Sequence, residues 1–184
     1  MFAVTPRLLL RPGWPEDAGA LFAAINDEAV VRNLARAPWP YGRNDAAQFL
    51  AASRPLLQPN FLIFRRDGQM PQLLGCIGFG DNGEGHLELG YWIARGQWGR
   101  GYATEAGRAV LEIARTLGHP EMRAEHFTDN PASGKVLRKL GFRPTGRTAP
   151  RFSKGRGQET DAVQFTLSLS EDDSADDVMR DLAA

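Results

Sequence analysis

One cysteine, Cys76, in 184 residues leaves no internal disulfide to form. The three histidines, His86, His119 and His126, share no metal-ligand spacing, and with a single thiol beside them no metal site is expected. No stretch approaches the ~20 apolar residues of a membrane-spanning helix. The N-terminus also lacks the basic start and apolar core of a signal segment, so a cytoplasmic protein without membrane contact is expected. Charge of either sign is not in excess: 22 basic residues meet 22 acidic ones, and the bulk balance gives no sign of a nucleic-acid partner.

That zero conceals an asymmetry. The segment 171–184 carries six acidic residues against one arginine, which leaves 21 basic against 16 acidic residues in 1–170. A mildly basic body suits a polyanionic ligand, and the acidic end reads as a solvated, flexible tail. With 42% hydrophobic residues, 1–170 is expected to form a single domain. Cys76 lies in the apolar run Leu73–Phe79 and reads as a buried structural thiol.

The densest signal is Arg95-Gly96-Gln97-Trp98-Gly99-Arg100-Gly101-Tyr102-Ala103-Thr104-Glu105-Ala106. It joins a strand-like segment, Leu87–Ile93, to a helix expected from about Tyr102 to Leu117. The first N–H groups of a helix lack intrahelical partners and the helix dipole is positive there. Glycines let a backbone approach a phosphate closely, and Arg100 adds a full charge, so the stretch predicts a phosphate cradle. The dinucleotide fingerprint G-x-G-x-x-G fails at Thr104. The triphosphate loop fails around Gly134-Lys135, where Val136 follows and Asp129 stands in place of the first glycine.

Gly99-x-Gly101-x-Ala103, preceded by Glu88-Leu89-Gly90-Tyr91-Trp92-Ile93, resembles the acetyl-CoA loop of the GNAT acetyltransferase superfamily, and most closely its RimJ/RimL-type branch. Asn130-Pro131-Ala132-Ser133, running on to Leu140-Gly141-Phe142, resembles the Asn-x-x-Ser helix of that branch. Thr5-Pro6-Arg7-Leu8-Leu9-Leu10-Arg11-Pro12 followed by Asp17-Ala18 resembles its opening strand and first helix. The resemblance spans roughly Thr5 to Leu169. One departure stands out: the superfamily loop often carries Gln or Arg three residues before its first glycine, where this chain has Gly96, with Gln97 beside it.

Element by element, the chain reads as strands at 8–11, 61–65, 73–79, 84–93, 123–128, 142–147 and 162–169. Helices are expected at 15–25, 28–34, 45–53, 102–117 and 131–140. Asp45-x-x-Gln48 reads as a capping box opening the third helix, and Asp67-Gly68 as a hairpin signal. The Gly/Arg/Lys-rich connection Thr148–Thr160 reads as mobile. The pattern predicts an α/β fold. The resemblance implies a GNAT-like mixed, mostly antiparallel central sheet flanked by helices, split between two central strands.

It further implies an N-acetyltransferase that moves an acetyl group from acetyl-CoA directly to a primary amine, either a protein N-terminal α-amine or an amine-bearing small molecule. Cofactor contacts are expected at Trp92, Ile93 and Ala94, whose backbone N–H groups would polarise the thioester. Others are expected at Trp98, Gly99, Arg100, Gly101, Ala103 and Thr104, and at Asn130, Ser133 and Lys135. Alternation along the strand places Leu87, Leu89, Tyr91 and Ile93 on one face and His86, Glu88, Gly90 and Trp92 on the other. Glu88 is the candidate general base on that second face, and the resemblance makes Ser133, about one turn after Asn130, the candidate acid toward the leaving thiolate. Asn130 also reads as a helix N-cap, and Trp14, Trp39, Tyr41 and Trp92 as packing residues or the lining of an acceptor pocket. A homodimer is a family-level expectation. Two alternatives remain: a CoA-binding regulatory domain without turnover, and a nucleotide-binding protein.

Overall fold

The computed structural model describes residues 1–53, 55–66, 71–83 and 85–170. Among these, eight strands form one sheet: β1 (Ala3–Val4), β2 (Leu8–Arg11), β3 (Asn60–Arg65), β4 (Gln72–Asp81), β5 (Leu87–Ile93), β6 (Glu121–Phe127), β7 (Arg143–Ser153) and β8 (Gln158–Ser168). The spatial order is β1-β2-β3-β4-β5-β6-β8-β7. Every neighbouring pair is antiparallel except β5 with β6. A parallel pair needs a crossover, and α4 (Tyr102–Thr116) supplies it. The mixed, mostly antiparallel sheet matches the expected fold.

The central feature is how little β5 and β6 pair. β5 matches β4 from Leu87 to Ile93 and β6 matches β8 along its whole length, yet β5 meets β6 only at Glu88↔Arg123 and Leu89↔Ala124. Beyond that point the sheet is split between Gly90–Ile93 on one side and Glu125–Phe127 on the other. Both following helices start at this open end: α4 after the glycine loop, and α5 (Pro131–Lys139) directly after β6.

Two cores hold the sheet. On one face Tyr102, Ala106 and Val110 of α4 and Leu137 of α5 pack on Leu89, Ile93, Met122 and Phe165. Gly107 makes room there, since a Cβ would meet Leu140 Cδ1 at 2.5 Å. On the other face α1 (Ala18–Ile25), α2 (Glu28–Val31) and α3 (Arg43–Ala51) cover Leu62, Phe64 and Cys76, with Trp92 packed against them. Each fully buried Leu, Val or Phe contributes about 1.5–3 kcal/mol.

Several boundaries differ from the sequence reading. The first helix opens with a 3-10 turn at Pro15–Asp17, and α2 ends at Val31 instead of Leu34. Asp45 is not an N-cap: α3 starts at Arg43, and the Asp45 carboxylate accepts the Gly42 N–H from the third helical position at 2.7 Å. β5 begins at Leu87. The largest difference is at 148–160, expected to be a mobile connection. β7 and β8 pair from Thr148↔Val163 to Ser153↔Gln158, so this region is a hairpin. Its tip is docked: Ser153 Oγ donates to Leu34 O and Lys154 N–H to Ala35 O, each at 2.9 Å, while Gly155 fits against Val31 and Ala37. The partners lie more than a hundred residues away, which a local reading does not reach. The Asp67-Gly68 turn and the acidic segment 171–184 lie outside the described residues.

Candidate active site

At the end of β5 the chain makes a 3-10 turn at Arg95–Gln97 and passes Gly99 and Gly101 into α4. Both glycines are left-handed, with φ of +74° and +80°, a conformation that a side chain strains. A Cβ on Gly99 would meet nothing within 4 Å, so the cradle is open above it. The first α4 turn bonds Glu105 N–H to Gly101 O at 3.0 Å; the N–H groups of Tyr102, Ala103 and Thr104 precede it and have no intrahelical acceptor. The side chains of Arg100 and Lys135 are exposed and have no ion pair among the described residues. This geometry fits a polyanion such as the phosphates of CoA.

The loop is braced by residues the motif does not contain. Glu105 accepts from Thr5 Oγ1 at 2.6 Å, from the Arg7 N–H at 2.9 Å and from Arg7 Nε at 2.6 Å. Arg7 Nη1 donates in turn to Arg100 O at 3.0 Å, and its guanidinium lies over the Tyr102 ring. Burial pushes the Glu105 carboxyl up, but the Thr5 and Arg7 hydrogen bonds outweigh it and hold it below the usual range. A carboxylate in the first turn of α4 is thereby tied to the turn between β1 and β2.

The expected trio Trp92, Ile93 and Ala94 lies at the edge of the split, with N–H groups that point to different sides of β5. Ala94 N–H donates to Leu74 O at 2.7 Å, so it is engaged by β4. Antiparallel ladders alternate, which directs Trp92 toward β4 as well and turns the N–H groups of Tyr91 and Ile93 toward the split. Ile93 O there accepts Trp98 Nε1 at 2.6 Å, folding the indole back over the strand end.

Across the split, Asn130 caps α5: its Oδ1 accepts the Ser133 N–H at 3.4 Å. Gly134 lets β6 lie close, because a Cβ there would sit 2.5 Å from His126 Nε2. The Ser133 hydroxyl has an unforeseen partner. Tyr91 OH lies 2.7 Å from Ser133 Oγ and 3.3 Å from Ser133 O. Burial pushes the Tyr91 phenol up to about 12, with the Ser133 bond acting the other way. Alternation along β5 placed Tyr91 on the apolar face and is correct; the missed signal was that a buried phenol needs a hydrogen-bond partner.

Glu88 lies on the opposite face, as its parity predicts, and is paired. Arg151 Nη2 is 3.5 Å from both Glu88 oxygens, while Arg151 Nε bonds Glu125 Oε1 at 2.9 Å. Gly90, next on this face, opens onto space where a Cβ meets nothing within 4 Å. Nearby, Arg156 forks onto Asp129 at 2.8 and 2.9 Å and donates to Arg32 O, and Arg32 adds a second ion pair to Asp129. The Arg156 hydrogen bonds, opposed by burial and aided by the two positive charges, hold Asp129 below the usual carboxylate range. Of the candidate pocket aromatics, Tyr41 is buried in the α1–α3 core and Trp14 stacks under Arg11.

The family model described as acetyltransferase (GNAT) domain matches residues 7–143. An uncharacterized N-acetyltransferase of Bacillus subtilis (strain 168), YoaA, is 32% identical over 155 residues, covering 77% of this chain and 82% of its own length. A GNAT-family acetyltransferase from Bacillus anthracis superposes with a TM-score of 0.78 at 24% identity, covering 93% of this chain and 100% of its own. RimL, a ribosomal-protein alpha-N-acetyltransferase solved in complex with coenzyme A, superposes with a TM-score of 0.74 at 19% identity over 91% of this chain and 98% of its own. The open glycine cradle, the split behind it and these matches agree: the chain belongs to the GNAT acetyltransferase family and is an acetyltransferase.

Proposed function

We propose that the protein transfers the acetyl group of acetyl-CoA directly to a primary amine, as a RimJ/RimL-type N-acetyltransferase. The observation that carries this reading is the loss of β5–β6 pairing after Leu89↔Ala124, which leaves strand-edge polar groups facing a gap where α4 and α5 both begin. A long polyanionic thioester fits such a gap at both ends. Gly99, Arg100, Gly101, Ala103 and Thr104 hold its pyrophosphate through the N–H groups of the loop and the first turn of α4. Trp98 and Lys135 border the same opening, and Asn130 keeps the start of α5 in place beside it. The co-substrate supplies an activated acetyl group; the chain supplies position, dipoles and a base.

The Ile93 N–H polarises the thioester carbonyl from the strand edge. Ser133 meets the leaving sulfur on the α4–α5 face. The amine arrives on the other face, past Gly90, where Glu88 takes its proton once Arg151 yields its long contact. The acceptor is a protein N-terminal α-amine or a small-molecule amine. An α-amine, with a pKa of about 7.7–8, is partly neutral at pH 7 and asks less of Glu88 than an alkylamine near 10.4.

The test is thermal melting with acetyl-CoA, NAD and ATP in parallel, followed by thiol release from acetyl-CoA with a panel of peptides and small amines. At ligand near 100 times its Kd, binding adds about 2.7 kcal/mol. Stabilisation by acetyl-CoA alone, with thiol release, supports the reading. Preference for NAD or ATP, or binding without turnover on any amine, sinks it.

A further inference from the structure

We propose that Tyr91 is a positioning residue: its phenol donates to Ser133 Oγ and so turns the Ser133 hydroxyl hydrogen into the split, where it holds the departing thiolate by hydrogen bonding. This inference rests on the acetyl-transfer reading above.

A serine in the first turn of a helix usually bonds to nearby backbone. Here the partner of the Ser133 hydroxyl comes from another strand, 42 residues away in sequence. Tyr91 has one hydrogen and two acceptors within reach, Ser133 Oγ at 2.7 Å and Ser133 O at 3.3 Å. The carbonyl of Ser133 faces the Leu137 N–H in the regular α5 pattern, so it needs no second donor. With that carbonyl engaged, the phenol hydrogen is assigned to the shorter contact, at which either oxygen can donate. A hydroxyl that accepts in this way still has its own hydrogen to give. Among the described residues, no other partner of Ser133 Oγ is present. Tyr91 is two residues past the last β5–β6 pair and Ser133 is in the first turn of α5, so the dyad stands beside the split.

Neither hydroxyl is the source of the proton. Burial pushes Tyr91 up to about 12, while an ordinary thiol lies near 8.5. Full transfer from phenol to thiolate would run uphill. The step balances without it. The amine lone pair forms the C–N bond, and the C–S electron pair leaves on sulfur. The nitrogen proton passes to Glu88 or water. Ser133 shares its hydrogen with sulfur and keeps it, Tyr91 stays neutral, and the thiolate is protonated by solvent after release. Donation from Tyr91 polarises Ser133 and strengthens its bond to an anion.

The experiment titrates the thiol of CoA bound to the full-length protein, through the ultraviolet absorbance of its thiolate. The wild type is expected to hold the bound thiol below its free pKa. Tyr91→Phe and Ser133→Ala are each expected to raise it by about one unit. The double variant should raise it no further than Ser133→Ala alone, and Ser133→Thr, which keeps a hydroxyl, should restore most of the effect. In turnover, Tyr91→Phe should lower kcat about tenfold with the KM for acetyl-CoA nearly unchanged. Identical titration of wild type and Tyr91→Phe, or additive effects in the double variant, overturns the inference. Wild type that binds CoA yet acetylates no amine sinks the acetyl-transfer reading instead, so the two failures are told apart.

Discussion

On the α4–α5 face of β5, the groups offered to a ligand are mostly backbone N–H groups: a loop with two left-handed glycines and the starts of two helices. On the α1–α3 face they are long side chains, with Arg151 set between Glu88 and Glu125. The first face is fixed by local geometry and reinforced by one partly buried carboxylate, Glu105. The second is assembled from β5, β6 and the β7–β8 hairpin, whose tip is clamped to α2 through Arg156, Asp129 and Arg32. A common co-substrate can be held by an unvarying backbone cradle. Under the proposed function an acceptor has to be chosen, and half-buried side chains brought together from several elements are the natural place for that choice.

The largest predicted effect breaks the first face. Glu105→Ala removes the acceptor of Thr5 and Arg7, and is expected to cost about 2–3 kcal/mol of stability in chemical denaturation, with weaker acetyl-CoA binding as the loop loses Arg7. The same residue predicts a pH dependence. Its folded pKa lies below its unfolded value of 4.5, so its contribution is present above that value and is lost as pH falls through the folded one. Glu105→Gln should flatten stability against pH in that acidic window; an unchanged slope would contradict the assignment.

Next is Gly101→Val. Forcing a β-branched residue to positive φ costs about 1–2 kcal/mol, and acetyl-CoA affinity measured by calorimetry should fall at least about tenfold, while the acceptor face is left intact. Arg156→Ala sharpens the contrast from the other side. It is expected to lower stability by about 1 kcal/mol, because the Asp129 it pairs with is half exposed. It should raise the KM for the amine several-fold and leave acetyl-CoA affinity unchanged; an equal effect on both substrates would mean that the two faces are not separable. The smallest effect is Gly90→Ala. Its Cβ enters open space, so stability should move by less than about 0.5 kcal/mol, while KM rises for bulky amines more than for small ones.

The glycine loop, its helix, the α5 cap at Asn130 and the alternation of β5 were all legible, because each depends on residues within a few positions of one another. The β7–β8 hairpin was not. Its composition suggests a loose connection, and what holds it is pairing to Val163 and Ala162 together with docking onto Leu34, Ala35 and Asp129. Arg7 and Arg151 were missed for the same reason: nothing next to either residue shows which carboxylate it will meet. Asp45 was misplaced by three positions because Gly42, which has no side chain to signal a cap, starts the helix.

The sequence by itself determined the glycine loop, the helix that follows it and the parity that separates Tyr91 from Glu88, since dihedral preference and strand periodicity are local properties. Only the tertiary structure decided where β5 and β6 part, that Tyr91 bonds to Ser133, and that Arg151 lies between Glu88 and Glu125. Those contacts join segments tens of residues apart, and which polar groups pair across a core is settled by packing and burial once the sheet is assembled.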